Sequence, residues 1–267
     1  MSAMSSLLKA PLPRVFLHDV PLSLGASLSL RGAEHHYLTR VLRLTHGDHV
    51  LLLDGAGAVA DAHVTAIDAQ VLTVELVRIE QAPRAAGLPP LHLLVGILKG
   101  DRHDWLIEKA TELGAARIAN LACARSIPSL SGDRGDKRQL RWLRVAQAAA
   151  QQCRRPQVPQ ISVPLSFREG LAQCADGPRL LFSEGVAPPL RRIVQPAALR
   201  AADAADCAAL SGSAVSLLVG PEGGFTDEEI AEAQAAGFRA CSLGPNILRA
   251  ETAALAALSA TAALLQE

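Results

Sequence analysis

Aromatic residues are scarce: two Trp, one Tyr and five Phe in 267 residues. A core built without them has to be aliphatic, and Ala and Leu dominate an apolar fraction of 49%. The length suffices for one large or two modest domains with a real core. No apolar run reaches the ~18 residues of a membrane span, and Met1 to Ala10 carries one Lys and no signal-peptide architecture. The five cysteines, Cys123, Cys153, Cys174, Cys207 and Cys241, include no C-x-x-C pair. That argues against zinc or a disulfide framework and for reduced thiols in a cytoplasm. No metal is expected. No histidine follows His103, so the second half offers no imidazole base of its own.

Formal net charge is zero, but its distribution is uneven. Lys99 to Arg155 holds twelve Lys/Arg against six Asp/Glu, a net of +6, and Arg200 to Glu267 holds three against nine, a net of −6. A basic stretch in a neutral chain can meet a polyanion on one face; it can equally be a solvated helix face.

Residues 11 to 80 read as β-rich. Strand-like runs are Arg14 to Leu17, Ser27 to Leu30, His49 to Asp54, Val59 to Ile67 and Val71 to Ile79, separated by turn signals such as Asp54-Gly55. Gly32 to Leu44 has helical spacing, with Arg40 and Arg43 facing out. A small barrel with one helix fits these residues. Gln81 to Pro90 is a Pro/Gly/Ala-rich linker. Strands then alternate with helices, the pattern of a parallel sheet covered on both faces. The strands are Leu91 to Leu98, Arg117 to Ala122 and Leu180 to Phe182; the helices are Asp101 to Leu113 and Asp136 to Cys153. Residues 184 to 213 form a long connection with a helix expected from Pro196 to Leu210.

The last fifty residues carry the chemistry. The apolar run Val215 to Val219 leads into Gly220-Pro221-Glu222-Gly223-Gly224-Phe225. Thr226 and Glu229 read as a capping box that starts a helix to about Ala236. A short strand, Phe238 to Leu243, leads into Gly244-Pro245-Asn246-Ile247-Leu248-Arg249, and a helix from Glu251 to Leu265 follows. Two strand-loop-helix units in tandem place both loops at carboxyl ends of strands, where open α/β sheets bind ligands. Neither loop is a phosphate loop, since no Gly-Lys-Ser/Thr follows Gly224. Gly55-Ala56-Gly57, between two strand-like runs, reads as a hairpin turn.

The motif Leu218-Val219-Gly220-Pro221-Glu222-Gly223-Gly224, followed by Leu243-Gly244-Pro245-x-x-Leu248-Arg249-x-Glu251-Thr252-Ala253, resembles the SPOUT methyltransferases. Within them it resembles the RsmE group, which methylates N3 of a uridine in 16S ribosomal RNA. Glu108-Lys109-x-x-Glu112-Leu113-Gly114 and Gln151-Gln152-Cys153-Arg154-Arg155-x-x-Val158-Pro159 agree with it. The resemblance implies an α/β fold of SPOUT type: a parallel sheet with a C-terminal trefoil knot, at 91–267, preceded by a PUA-like β-barrel at 1–80. It implies S-adenosylmethionine as cofactor, gripped by Phe182, Ser183 and Glu184, by Leu218, Val219, Gly220, Pro221, Glu222, Gly223 and Gly224, and by Leu243, Gly244, Asn246, Leu248 and Thr252. It also implies a homodimer through the knotted region, with the 16S RNA of the 30S subunit as partner.

Arg14, Arg31, Arg40 and Arg43 are then candidate phosphate contacts, as are Lys99, Arg102, Arg138, Arg141, Arg144, Arg154 and Arg155. Uracil N3 is a poor nucleophile while it carries its proton. Arg249 either stabilises negative charge developing on the uracil oxygens or anchors a flanking phosphate. Glu251 is either a base or a simple cap of the final helix, and Glu222 braces its loop. The base stays open between Glu251, a water, and a group from the first half or a partner subunit. The final helix has almost no polar face and is expected to be buried on all sides. Two other readings remain: a ribose 2′-O methyltransferase of the same fold, and a non-catalytic RNA-binding protein of ribosome assembly.

Overall fold

The structure is a computed structural model, and it describes residues 7, 12–17, 20–82, 89–126, 132–183, 187–194 and 214–266. The expected helix from Pro196 to Leu210 lies outside the described residues, as does Glu184. Two compact units divide the chain: Met1–Ala86 with Ala150–Val158, and Gly87–Ala149 with Pro159–Glu267.

In the first unit, strands β1 (Arg14–Phe16), β2 (Ser27–Arg31), β3 (His49–Leu53), β4 (Ala58–Ile67) and β5 (Val71–Gln81) form one sheet in the order β1-β3-β4-β5-β2. Only β1 and β3 run parallel. Of the expected small barrel the ladders form one five-stranded sheet: β1 and β2 are its two edges, and no ladder joins them among the described residues. The run Val50-Leu51-Leu52-Leu53 is buried throughout, because β3 packs apolar clusters on both faces. Val50 and Leu52 join Leu38, Val64, Leu72 and Val74 on one side. Leu51 and Leu53 join Phe16, Val59, Ala150 and Val158 on the other. That second cluster is why Ala150–Val158 returns to the first unit, a return that a single linear division near residues 81–90 does not include.

The expected helix over 32–44 is split. Helix α1 (Gly32–His36) widens into a π-helical stretch, Tyr37–Val41, where Leu42 N–H reaches the Tyr37 carbonyl at 3.0 Å. It ends at Arg43, whose φ of 57° is a left-handed conformation.

In the second unit, β6 (Leu91–Gly96), β7 (Arg117–Ala122), β8 (Gln160–Ser166), β9 (Arg179–Phe182), β10 (Val215–Val219) and β11 (Arg239–Cys241) form an all-parallel sheet in the order β11-β9-β10-β6-β7-β8. Helices α2 (Arg102–Glu112), α3 (Asp133–Gln152), α4 (Phe167–Ala172), α5 (Leu190–Ile193), α6 (Asp227–Ala235) and α7 (Ala250–Gln266) complete the described elements. Strand β8 is absent from the sequence reading because Pro159 and Pro164 flank and interrupt it. As an edge strand it tolerates a residue without an N–H. Pro164 sits opposite Asn120 at a register shift, and the Ser162 hydroxyl takes the Asn120 N–H at 2.9 Å instead.

Helix α7 is buried along one side only, which leaves the expected dimer face uncovered in the single chain. Its buried residues, Ala250, Glu251, Ala254, Ala257, Leu258 and Thr261, form one stripe. Thr252 and Ser259 are exposed, and Ala253, Leu255, Ala256 and Ala260 are only half-buried.

Candidate active site

Strand register places the three candidate loops side by side. Val219 on β10 and Cys241 on β11 both pair with Phe182 on β9. The chain therefore leaves the sheet at one row into Ser183, into Gly220–Phe225 and into Ser242–Arg249. Leu218, Val219 and Phe182 are buried.

The first glycine loop is held from two sides. Gly96 ends β6 so close to it that an added Cβ would lie 2.5 Å from Pro221 N and 2.6 Å from its Cδ. Only a residue without a side chain lets these two backbones meet. Beyond Gly96, the Lys99 N–H donates to Glu222 Oε1 at 3.0 Å, and the Arg102 guanidinium stands 3.7 Å from the same oxygen. On the other side lies the turn after β7. Arg125 donates to the Gly223 carbonyl at 3.1 Å and the Phe225 carbonyl at 3.2 Å. A Cβ on Gly223 would stand 2.9 Å from Arg125 Cβ. The neighbour that requires glycine there within the chain is Arg125.

The capping box at Thr226 and Glu229 forms as the spacing predicts. Glu229 Oε2 accepts the Thr226 N–H at 3.0 Å, while its Oε1 accepts the Ala124 N–H at 2.8 Å. The first turn of α6 thus ties the glycine loop to the end of β7.

The second loop is open. Ser242 Oγ accepts the Gly244 N–H at 3.1 Å and donates to the Gly244 carbonyl at 3.0 Å. Beyond that turn Gly244, Pro245, Asn246 and Arg249 are exposed, and Ile247 and Leu248 are exposed to 79% and 36%. No ion pair engages Arg249 among the described residues. Two residues on, in the first turn of α7, Glu251 is 9% exposed and its Oε2 is buried with no hydrogen-bond partner. A capping role does not occupy that oxygen. A buried carboxylate oxygen without a donor is costly in a folded chain and marks a place a ligand can complete.

The basic candidates separate. Arg31, Arg40, Arg43, Arg144 and Arg154 are exposed. Arg141 pairs with Asp104 and, at 3.2 Å, with Asp101, and Arg102 faces Glu222, so their charge is locally offset. Arg138 is half-buried. Arg14 donates to the Arg154 carbonyl at 3.4 Å, and burial lowers its pKa and that of Arg155. Among the described residues no group of three or more His, Cys, Asp or Glu is placed to hold a metal ion, and no helix is long and apolar enough to cross a membrane.

Sequence reasoning missed Arg125 and the buried pair His103 and Asn120. The first follows a strand with no glycine or motif near it. The pair is seventeen positions apart, with no periodicity to link them.

These features meet in proteins that modify RNA. An RNA methyltransferase domain family matches residues 86–262, and an RNA methyltransferase PUA domain family matches residues 30–77. The chain is 30% identical to ribosomal RNA small subunit methyltransferase E of Bacillus subtilis, over 88% of this chain and 89% of that one. It is 35% identical to the Synechocystis protein of the same name, over 90% and 74%. Among solved structures it resembles ribosomal RNA small subunit methyltransferase E of Neisseria gonorrhoeae bound to S-adenosyl methionine. The TM-score is 0.74 at 30% identity, over 95% of this chain and 98% of that one. A Legionella pneumophila methyltransferase with bound SAM aligns at a TM-score of 0.79 and 28% identity, with the same coverage. The chain is therefore an RNA methyltransferase with a PUA domain. Within that class it belongs to the ribosomal RNA small subunit methyltransferase E family.

Proposed function

We propose that this protein transfers a methyl group from S-adenosylmethionine to N3 of a uridine in 16S ribosomal RNA. The observation that carries the reading is the row of three loops at the ends of β9, β10 and β11, with Arg249 and the unpaired Glu251 oxygen beside the open one. Main-chain groups of Phe182, Ser183, Gly220–Gly224 and Leu243–Leu248 suit a flat adenine, and their apolar side chains suit a sulfonium. Relatives of this fold bind that cofactor. When bound, it supplies an electrophilic methyl whose bonding pair stays with sulfur.

The chain's own residues then have to make N3 nucleophilic. Glu251, once RNA binding uncovers its carboxylate, accepts the N3 proton, and the Arg249 guanidinium faces the uracil oxygens on which negative charge develops. Arginine keeps its charge throughout and presents a planar fork to paired acceptors. Exposed arginines, Arg31, Arg40, Arg43, Arg144 and Arg154, hold RNA phosphates while the base is unstacked. The half-exposed side of α7 and the exposed Ile247 and Leu248 are read as a homodimer interface near a knotted cofactor segment, and the protein as cytoplasmic.

The test is to incubate the protein with labelled S-adenosylmethionine and either 30S particles or naked 16S RNA, and then to digest the RNA to nucleosides. Recovery of 3-methyluridine by mass analysis is the expected result. Methyl on the ribose, or none with either substrate, would overturn the reading.

A further inference from the structure

Beneath the held loop lies a polar network that the methyl-transfer chemistry does not use. His103, on the first turn of α2, is 1% exposed and its ring lies 4.6 Å from that of Trp142. Its Nε2 lies 2.8 Å from Asn120 Oδ1, and its Nδ1 lies 3.3 Å from the Leu98 N–H. The Asn120 side-chain amide donates to the Ser162 carbonyl at 2.8 Å. These partners settle the proton positions. Asn120 must turn its NH2 to the carbonyl, so Oδ1 faces the ring and Nε2–H donates to it. Nδ1 is left with a lone pair for the Leu98 N–H. A protonated ring would have no acceptor there, and burial pushes the His103 pKa down to about 4.

The next amide in the chain leads to the site. Lys99 N–H donates to Glu222 of the glycine loop. Two successive amides therefore diverge: Leu98 N–H goes down to the imidazole, and Lys99 N–H goes across to the loop. If the first is released, the peptide between them is free to rotate, and the second loses its aim. We infer that His103 is a positioning residue, whose neutral Nδ1 holds the Leu98–Lys99 turn in the conformation that seats Glu222 and with it the Gly220–Gly224 loop. The inference rests on that loop being the cofactor loop. If packing alone were its role, either nitrogen would be dispensable and only ring volume would count.

Two substitutions in the full-length protein separate these roles. In His103→Asn the side-chain oxygen takes about the place of Nδ1, which keeps an acceptor for Leu98 N–H but drops the bond to Asn120. In His103→Gln the amide NH2 takes about the place of Nε2, keeping the donor to Asn120 but leaving Leu98 N–H unmet. Each loses one hydrogen bond and the ring contact with Trp142, so their melting temperatures should fall by similar amounts. Titration calorimetry with S-adenosylmethionine should show His103→Gln about tenfold weaker than wild type and His103→Asn within about twofold, the scale of one buried hydrogen bond. Hydrogen exchange at the Leu98 and Lys99 amides should accelerate in His103→Gln alone. Equal affinities and equal exchange in the two variants would overturn the inference. If wild type itself fails to bind S-adenosylmethionine, the cofactor reading falls, and the exchange comparison still decides whether His103 positions the turn.

Discussion

The two glycine loops leave the same row of the sheet, yet one is built and the other is waiting. Gly220–Phe225 is gripped by Lys99 and Arg102 through Glu222, by Arg125 through two carbonyls, and by Glu229 through Ala124. Gly244–Arg249 has one serine turn at its base and then runs exposed to Arg249. A loop whose backbone groups are already satisfied binds its ligand without an ordering cost, whereas an open one pays that cost on binding and can discriminate by doing so. The division suits a proposed cofactor pocket that is half built in the free chain and completed on binding.

The sharpest way to break that comparison is at the open loop. Arg249→Lys retains a positive charge but not the fork, and single-turnover methyl transfer should slow on the order of 10²–10³-fold, as for loss of one transition-state donor. Cofactor affinity measured by calorimetry should stay within about twofold. A variant that transfers at normal speed once saturated with RNA would make Arg249 a phosphate anchor.

The held loop should respond to acid through its foundation. With a folded pKa of about 4 against the ordinary 6.5, His103 stays neutral in the fold while the unfolded chain takes up a proton. Its contribution is therefore fully present above about pH 6.5 and is lost as pH falls towards 4, on the order of 3 kcal/mol over that window. Asn120, Asp104 and Glu222 favour the charged ring, and burial and Arg138 oppose it, with burial the largest effect. Urea unfolding at several pH values should show a shallower slope for His103→Gln than for wild type across this window. Parallel slopes would mean that other groups carry the acid sensitivity.

Next in size is Gly96→Ala, which leaves the open loop untouched. Its methyl would meet the Pro221 backbone rather than a flexible side chain, so thermal unfolding should show about 1–3 kcal/mol of destabilisation together with weakened cofactor binding. Smallest is Arg125→Met, which releases two carbonyls at an exposed edge. About 1 kcal/mol, or roughly fivefold in cofactor affinity, is expected, with methyl transfer at saturation unchanged. If Arg125→Met instead slowed transfer and left affinity alone, the held loop would belong to the substrate side.

The parts of this molecule that were readable in the chain are those with short-range causes. Thr226 and Glu229 are three positions apart and formed their capping box. Val215–Val219 is an unbroken apolar run, and it became the strand between β9 and β6 with every residue buried. The tandem loops, with Arg249 and Glu251 after the second, were visible as motifs before any coordinate. Strand β8 was not, because a proline that disqualifies a central strand is harmless at an edge, and edge position is a property of the whole sheet. The helix from Gly32 was visible, but its π-helical widening was not, since hydropathy spacing does not register one inserted residue.

What the amino-acid sequence determined by itself is the inventory: periodic segments, turn residues, caps, and two glycine loops placed at strand ends. Backbone sterics and neighbouring side chains act over a few residues, so these follow from local order alone. Which residues face those loops was decided only in three dimensions. Glu222 takes the amide of Lys99, 123 positions away, and Arg125 reaches Gly223 across 98. His103 meets Asn120 because β6 and β7 are neighbours in the sheet. Strand order sets those pairings, and it is settled by how the whole apolar surface is buried.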